Sequence, residues 1–138
     1  MAQPHSEPDH PITILVAEDE DFLRVLITRV LWEDGYRTLE ARDGGEALHL
    51  ARLAFPHLHL VITDIMMPNL DGRELGHRLA SDCPRLPVLY ISAYMTGDVF
   101  HRDAPGGAAF LQKPFSPDDL RATVRSLLRA AQERLSPT

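Results

Sequence analysis

Ile12-Thr-Ile-Leu-Val-Ala17 is apolar at every position but Thr13, β-branched at most of them, and followed at once by Glu18-Asp19-Glu20-Asp21. A strand with one wet face alternates polar and apolar residues. A run that is apolar throughout reads as a strand covered on both faces, the habit of parallel sheets flanked by helices. The same signal recurs at Leu58–Thr63, which runs into Asp64, and at Pro87–Ile91, which runs into Ser92. Tyr36–Ala41 and Ala108–Gln112 read as two further short strands.

Helical patterns fill the gaps. Over about 20 to 34, Phe22, Leu23, Leu26, Ile27, Val30 and Leu31 recur at three- and four-residue spacings, which predicts one apolar stripe, with Gly35 as its stop. Asp43-Gly-Gly predicts the start of a helix reaching about Phe55 and closed by Pro56. A turn-rich segment, Asp64 to Gly72, holds Pro68, Asn69 and Asp71 and leads into a helix over about 72–82. Ser116-Pro-Asp-Asp predicts the cap and acidic first turn of a last helix, whose stripe is Leu120, Val124, Leu127, Leu128 and Ala131. From Ser92 to Gly107 the pattern is weakest, with room for a short helix over about 98–103 before Pro105-Gly-Gly. Strand and helix alternate five times. The expected fold is α/β: a doubly wound, five-stranded parallel sheet with helices on both faces, joined right-handedly.

The bulk numbers fit one domain. A chain of 138 residues with 44% apolar and 25% charged residues matches an ordinary soluble globular protein. Residues 12–135 are taken as that domain, with polar tails at 1–11 and 136–138. The first of these lacks the apolar core of a signal peptide. A net charge of -6, with the basic residues scattered, argues against direct DNA binding. Neither is there a run of about 18 apolar residues to span a membrane, and the expected compartment is the cytoplasm. The single cysteine, Cys83, precedes Pro84 in a polar stretch and reads as a tolerated loop or helix-end thiol.

In open α/β sheets, ligands bind beyond the carboxyl ends of the strands. Here those ends carry Glu18 and Asp19, then Asp64, Ser92 and Lys113: carboxylates from two strands, a hydroxyl and an ammonium around one crevice. Such carboxylates suit a hard divalent ion, Mg²⁺ above all, and Lys113 would neutralise a carboxylate or hold an anion such as phosphate. Glu20 and Asp21 read more plainly as caps of the following helix.

The segments Ile14-Leu-Val-Ala-Glu-Asp-Glu20, Val61-Ile-Thr-Asp-Ile-Met-Met-Pro-Asn-Leu-Asp-Gly72, Tyr90-Ile-Ser-Ala93 and Phe110-Leu-Gln-Lys-Pro-Phe115 resemble, in order and position, the receiver domain of bacterial two-component response regulators. The likeness covers about residues 12 to 132. It implies the flavodoxin-like, CheY-like strand order 2-1-3-4-5 and a phosphorylatable switch. By the same resemblance Asp64 is the phosphoacceptor, and Glu18 and Asp19 bind Mg²⁺ with Asp64 and the backbone carbonyl of Met66. Ser92 and Lys113 meet the phosphoryl oxygens, the Lys113-Pro114 bond is cis, and Phe110 is the aromatic switch residue. The implied phosphodonor is a histidine kinase or a histidine phosphotransfer protein. The implied output is protein contact, from a stand-alone regulator or the receiver of a hybrid kinase, and the domain would be a phosphoacceptor, not an enzyme.

This chain departs from the family pattern at four places. Glu18 stands for the more usual Asp, Ser92 for Thr and Phe110 for Tyr, and the stretch from Gly97 to Gly107 replaces a regular helix. Met66 and Tyr94 lie two residues after Asp64 and Ser92, flanking the route of a hydrolytic water, and are expected to slow phosphoryl loss. Two other classes fit less well. A haloacid-dehalogenase-like phosphatase would need a cap region and later acidic ligands, and a nucleotide or flavin module would need a Gly-rich turn after the first strand.

Overall fold

The structure is a computed structural model that describes residues 11–93 and 108–135. Its strands are β1 (Thr13–Ala17), β2 (Arg37–Ala41), β3 (Leu60–Asp64), β4 (Val88–Ser92) and β5 (Ala108–Gln112). The helices are α1 (Asp21–Glu33), α2 (Gly44–Ala54), α3 (Gly72–Asp82) and α4 (Pro117–Leu135). All five strands run parallel, as the strand pattern implies, in the order β2-β1-β3-β4-β5 that the resemblance implies. The expected short helix over 98–103 lies outside the described residues.

The continuous apolar runs are explained by what covers each face. Ile14, Val16, Leu60, Ile62, Leu89 and Ile91 point to one side and meet Ile27, Val30 and Leu31 of α1 and Leu120 and Val124 of α4. Leu15, Ala17, Val61, Val88 and Tyr90 point to the other and meet Ala47, Leu48 and Ala51 of α2 and Leu75 and Leu79 of α3. Neighbouring residues of a strand thus serve two cores, so neither parity can be polar. Each fully buried Ile or Leu contributes roughly 1.5–3 kcal/mol.

Two local readings are corrected and a third is sharpened. The α1 stripe is narrower than its spacing suggested: Phe22 is 78% exposed and Leu26 is exposed as well, while Arg24 and Thr28 are buried. Helical periodicity marks neighbours on a surface and does not say which edge of the stripe the sheet reaches. Glu20 occupies the N-cap position of α1, but its side chain makes no capping bond, and Asp21 pairs with Arg24 instead. Cys83 does end α3, yet it is buried in the core on the α2–α3 side, and that burial pushes its thiol pKa up.

Other caps form as the residue types dictate. Asp43 accepts the Glu46 N–H at 2.8 Å and Asp71 accepts that of Glu74 at 2.9 Å. Ser116 and Asp119 satisfy each other's backbone N–H at the start of α4, at 3.0 and 3.1 Å. The Lys113-Pro114 bond is cis, as the resemblance implied, and so is Phe55-Pro56, which the sequence did not signal.

Candidate functional site at the carboxyl ends of the strands

Parallel strands align their ends, so residues far apart in sequence converge. Asp64 is the last residue of β3, Glu18 and Asp19 follow β1, Ser92 ends β4, and Lys113 follows β5. The backbone N–H of Lys113 donates to the carbonyl of Ser92 at 2.9 Å, which continues the β4–β5 ladder past its end and brings the two residues level.

Asp64 is nearly enclosed, and both of its carboxylate oxygens are engaged. The Lys113 ammonium donates to Oδ2 at 2.7 Å, and the Met66 backbone N–H donates to Oδ1 at 3.2 Å. Lys113 also lies 3.6 Å from Glu18 Oε1. Burial alone would depress the lysine pKa. The hydrogen bond to Asp64 and the charges of Glu18, Asp64 and Glu20 more than offset it and hold it above the ordinary value.

Glu18 has no solvent exposure. Its Oε2 accepts the Glu20 backbone N–H at 3.0 Å, while Oε1 has no hydrogen-bond partner among the described residues. Burial pushes the Glu18 carboxyl up to about 8, against the Glu20 hydrogen bond and with the Asp64 charge adding to the rise. Ligand oxygens of Glu18, Asp19 and Asp64 lie within 4.8 Å of one another, a span that one ion could bridge. A buried carboxylate oxygen without a hydrogen-bond partner among the described residues, beside two further carboxylates, is costly unless a proton or a cation completes it, and the all-oxygen donor set fits a hard divalent ion.

α3 is also built against this site. A Cβ at Gly72 would collide with the Asp64 carbonyl oxygen, so only glycine lets the helix start this close to the acid. The Met66 side chain is exposed, and Tyr94 lies outside the described residues. Phe110, partly buried, packs on the core of the α2–α3 side. All five polar residues expected at the site are brought to it.

The sequence reading missed Arg24. This buried arginine donates to the Glu18 carbonyl and bonds Glu40 and Asp21. A lone arginine inside the α1 stripe was the available signal.

The chain matches the response regulator receiver domain over residues 14–125. It is 36% identical over 118 residues to the sensor kinase CckA of Brucella abortus, covering 84% of this chain and 12% of that protein. To the transcriptional regulatory protein PdtaR of Mycobacterium tuberculosis it is 39% identical over 125 residues, 87% of this chain and 59% of that one. The chain therefore spans less than two thirds of each. Among solved structures, the receiver domain of the hybrid histidine kinase CckA superposes with a TM-score of 0.72 at 36% identity, covering 84% of this chain and 98% of that one.

Proposed function

The chain belongs to the family of response regulator receiver domains, phosphorylatable switches of two-component signalling, and from that premise we propose that Asp64 is its phosphoryl acceptor. The observation that carries this reading is the Asp64 carboxylate itself, held between the Lys113 ammonium and the Met66 N–H beside two further acids.

The donor is a phosphohistidine of a histidine kinase or phosphotransfer protein. An oxygen of Asp64 attacks phosphorus while the P–N bond breaks, and the electron pair leaves with the imidazole nitrogen, which takes a proton from solvent. Mg²⁺ held by Glu18, Asp19, Asp64 and the Met66 carbonyl would neutralise charge that otherwise repels the incoming phosphoryl group. Lys113 offsets the negative charge on Asp64 and later meets a phosphoryl oxygen, and the Ser92 hydroxyl donates to another. The modified side chain carries more negative charge than aspartate, so Ser92 and Lys113 are drawn toward it. Phe110 follows as the aromatic switch, shifting an equilibrium that controls a protein partner.

Residues 12–135 form this domain, flanked by tails at 1–11 and 136–138. It is a phosphoacceptor that assists its own modification and is not itself an enzyme. Its net charge of -6 supports protein contact over direct DNA binding. No helix among the described residues is long and apolar enough to cross a membrane, and we place the protein in the cytoplasm, where phosphohistidine donors act.

Incubation with Mg²⁺ and acetyl phosphate should add one phosphoryl mass, in an acid-stable and base-labile linkage, to wild type and not to Asp64→Asn. Equal labelling of the two proteins would sink the assignment.

A further inference from the structure

Arg24 stands in the second turn of α1, where the helical stripe calls for an apolar residue, and only 6% of it is exposed. A guanidinium in such a place is costly unless its donors are met. Here three of its nitrogens are used. Nη1 donates to the Glu18 carbonyl at 3.0 Å, Nε to Glu40 Oε1 at 3.0 Å, and Nη2 meets Asp21 Oδ1 at 2.7 Å.

These partners belong to three different parts of the chain. Glu40 is on β2, Asp21 opens α1, and Glu18 leads the acidic loop after β1. The Glu18 N–H in turn donates to the Ala41 carbonyl of β2 at 3.0 Å. Both backbone polar groups of Glu18 are therefore tied, one to β2 directly and one to β2 through Arg24 and Glu40. With Oε2 held by the Glu20 N–H, the remaining oxygen, Oε1, is aimed with little freedom. We propose that Arg24 is a positioning residue, whose guanidinium fork sets the acidic loop so that Glu18 and Asp19 meet Asp64 at the spacing one divalent cation requires.

The role is geometric. Asp21 and Glu40 already outweigh the single charge of Arg24, so the cluster adds no net positive charge beneath the acids. Lysine would keep the charge and lose the fork, since an ammonium cannot span three acceptors in fixed directions. A merely structural arginine would change stability when replaced and leave cation affinity alone. A group that orients a ligand changes affinity in a chain that still folds, typically by about 10–100-fold.

The inference rests on the reading of Glu18, Asp19 and Asp64 as cation ligands. The experiment titrates Mn²⁺ into the full chain and reads the free ion by electron paramagnetic resonance, with metal-free urea unfolding as a parallel measure. Arg24→Met should bind Mn²⁺ about 10–100-fold more weakly while still unfolding cooperatively, and Arg24→Lys should recover only part of the loss. Unchanged affinity in Arg24→Met, with wild type binding, overturns the role of Arg24 and leaves the cation site standing. If wild type binds no Mn²⁺, the cation site fails and the role of Arg24 falls with it. Should Arg24→Met not fold, Arg24→Lys decides. It keeps the charge and loses the fork, so affinity weakened severalfold supports the proposal and affinity equal to wild type overturns it.

Discussion

The ring of Phe110 stacks on that of Tyr90, with centroids 5.4 Å apart and 22° between the planes. The two are directly opposed across the β4–β5 ladder. Aromatic pairs of this kind contribute about 0.5–1.5 kcal/mol beyond their buried area. Any swing of Phe110 on phosphorylation must give up or slide this stack. Phe110→Leu should therefore lower urea stability by about 1 kcal/mol. It should also abolish a phosphorylation-dependent change in near-ultraviolet circular dichroism that wild type displays. A wild-type spectrum indifferent to phosphorylation would argue that Phe110 is core and nothing more.

Tyr90 reaches across the α2–α3 core to Gly76, where an added Cβ would collide with the tyrosine hydroxyl and lie 2.9 Å from ring Cζ. Gly76→Ala should cost about 1–3 kcal/mol through overpacking. Tyr90→Phe in the same chain should return part of that loss, because the hydroxyl clash goes and the ring contact stays. A double-mutant cycle measures the coupling, and strict additivity would refute it.

Glu18 links metal-free stability to pH. Its folded-state pKa is raised from 4.5 to about 8, so between those values the folded chain binds a proton that the unfolded chain has lost. The stabilisation is complete below about 4.5 and disappears as pH rises through about 8. Melting without metal should fall across that window, and Glu18→Gln should flatten the slope. Saturating Mg²⁺ should oppose the fall, since the cation binds the ionised form and stabilises the folded state by mass action.

Lys113 occupies, by its ion pairs with Asp64 and Glu18, a place that a cation would share. Lys113→Ala should tighten Mg²⁺ binding severalfold, because the acids lose a competing positive charge. The same variant should still accept phosphate at Asp64 but lose the spectral response to it. Calorimetry that finds weaker Mg²⁺ binding would contradict this picture.

Met66 holds its backbone against Asp64 and leaves its side chain exposed beside the acid. A bulky apolar group there would hinder a water approaching phosphorus. Met66→Asn should shorten the half-life of the Asp64 adduct, followed by intact mass after the phosphodonor is removed. An equal or longer half-life would rule out shielding by this residue.

The architecture was legible because parallel strands buried on both faces leave a distinct trace. Ile14 and Leu15 must both be apolar when one faces α1 and the other faces α2. The site was legible for a related reason: ends of parallel strands lie side by side, so Glu18, Asp64, Ser92 and Lys113 could be paired from their positions alone. The edges of the α1 stripe were not legible. Phe22 and Leu26 fit the period as well as Ile27 does, and only the placement of α1 on the sheet leaves them in solvent. Cys83 ends its helix as expected, but its burial was not legible, since a polar neighbourhood in sequence became a buried helix end in space.

By itself, then, the order of apolar runs and terminal acids determined a doubly wound sheet with carboxylates at one edge, because both follow from short-range pattern and the alignment of parallel strands. Tertiary structure alone decided the state of those carboxylates. That Glu18 is wholly buried with one oxygen lacking a hydrogen bond among the described residues, that Lys113 sits on Asp64, and that Arg24 ties the acidic loop to β2 all depend on distances between segments far apart in the chain. Charge placement in a low-dielectric site is set by those distances, and no local pattern encodes them.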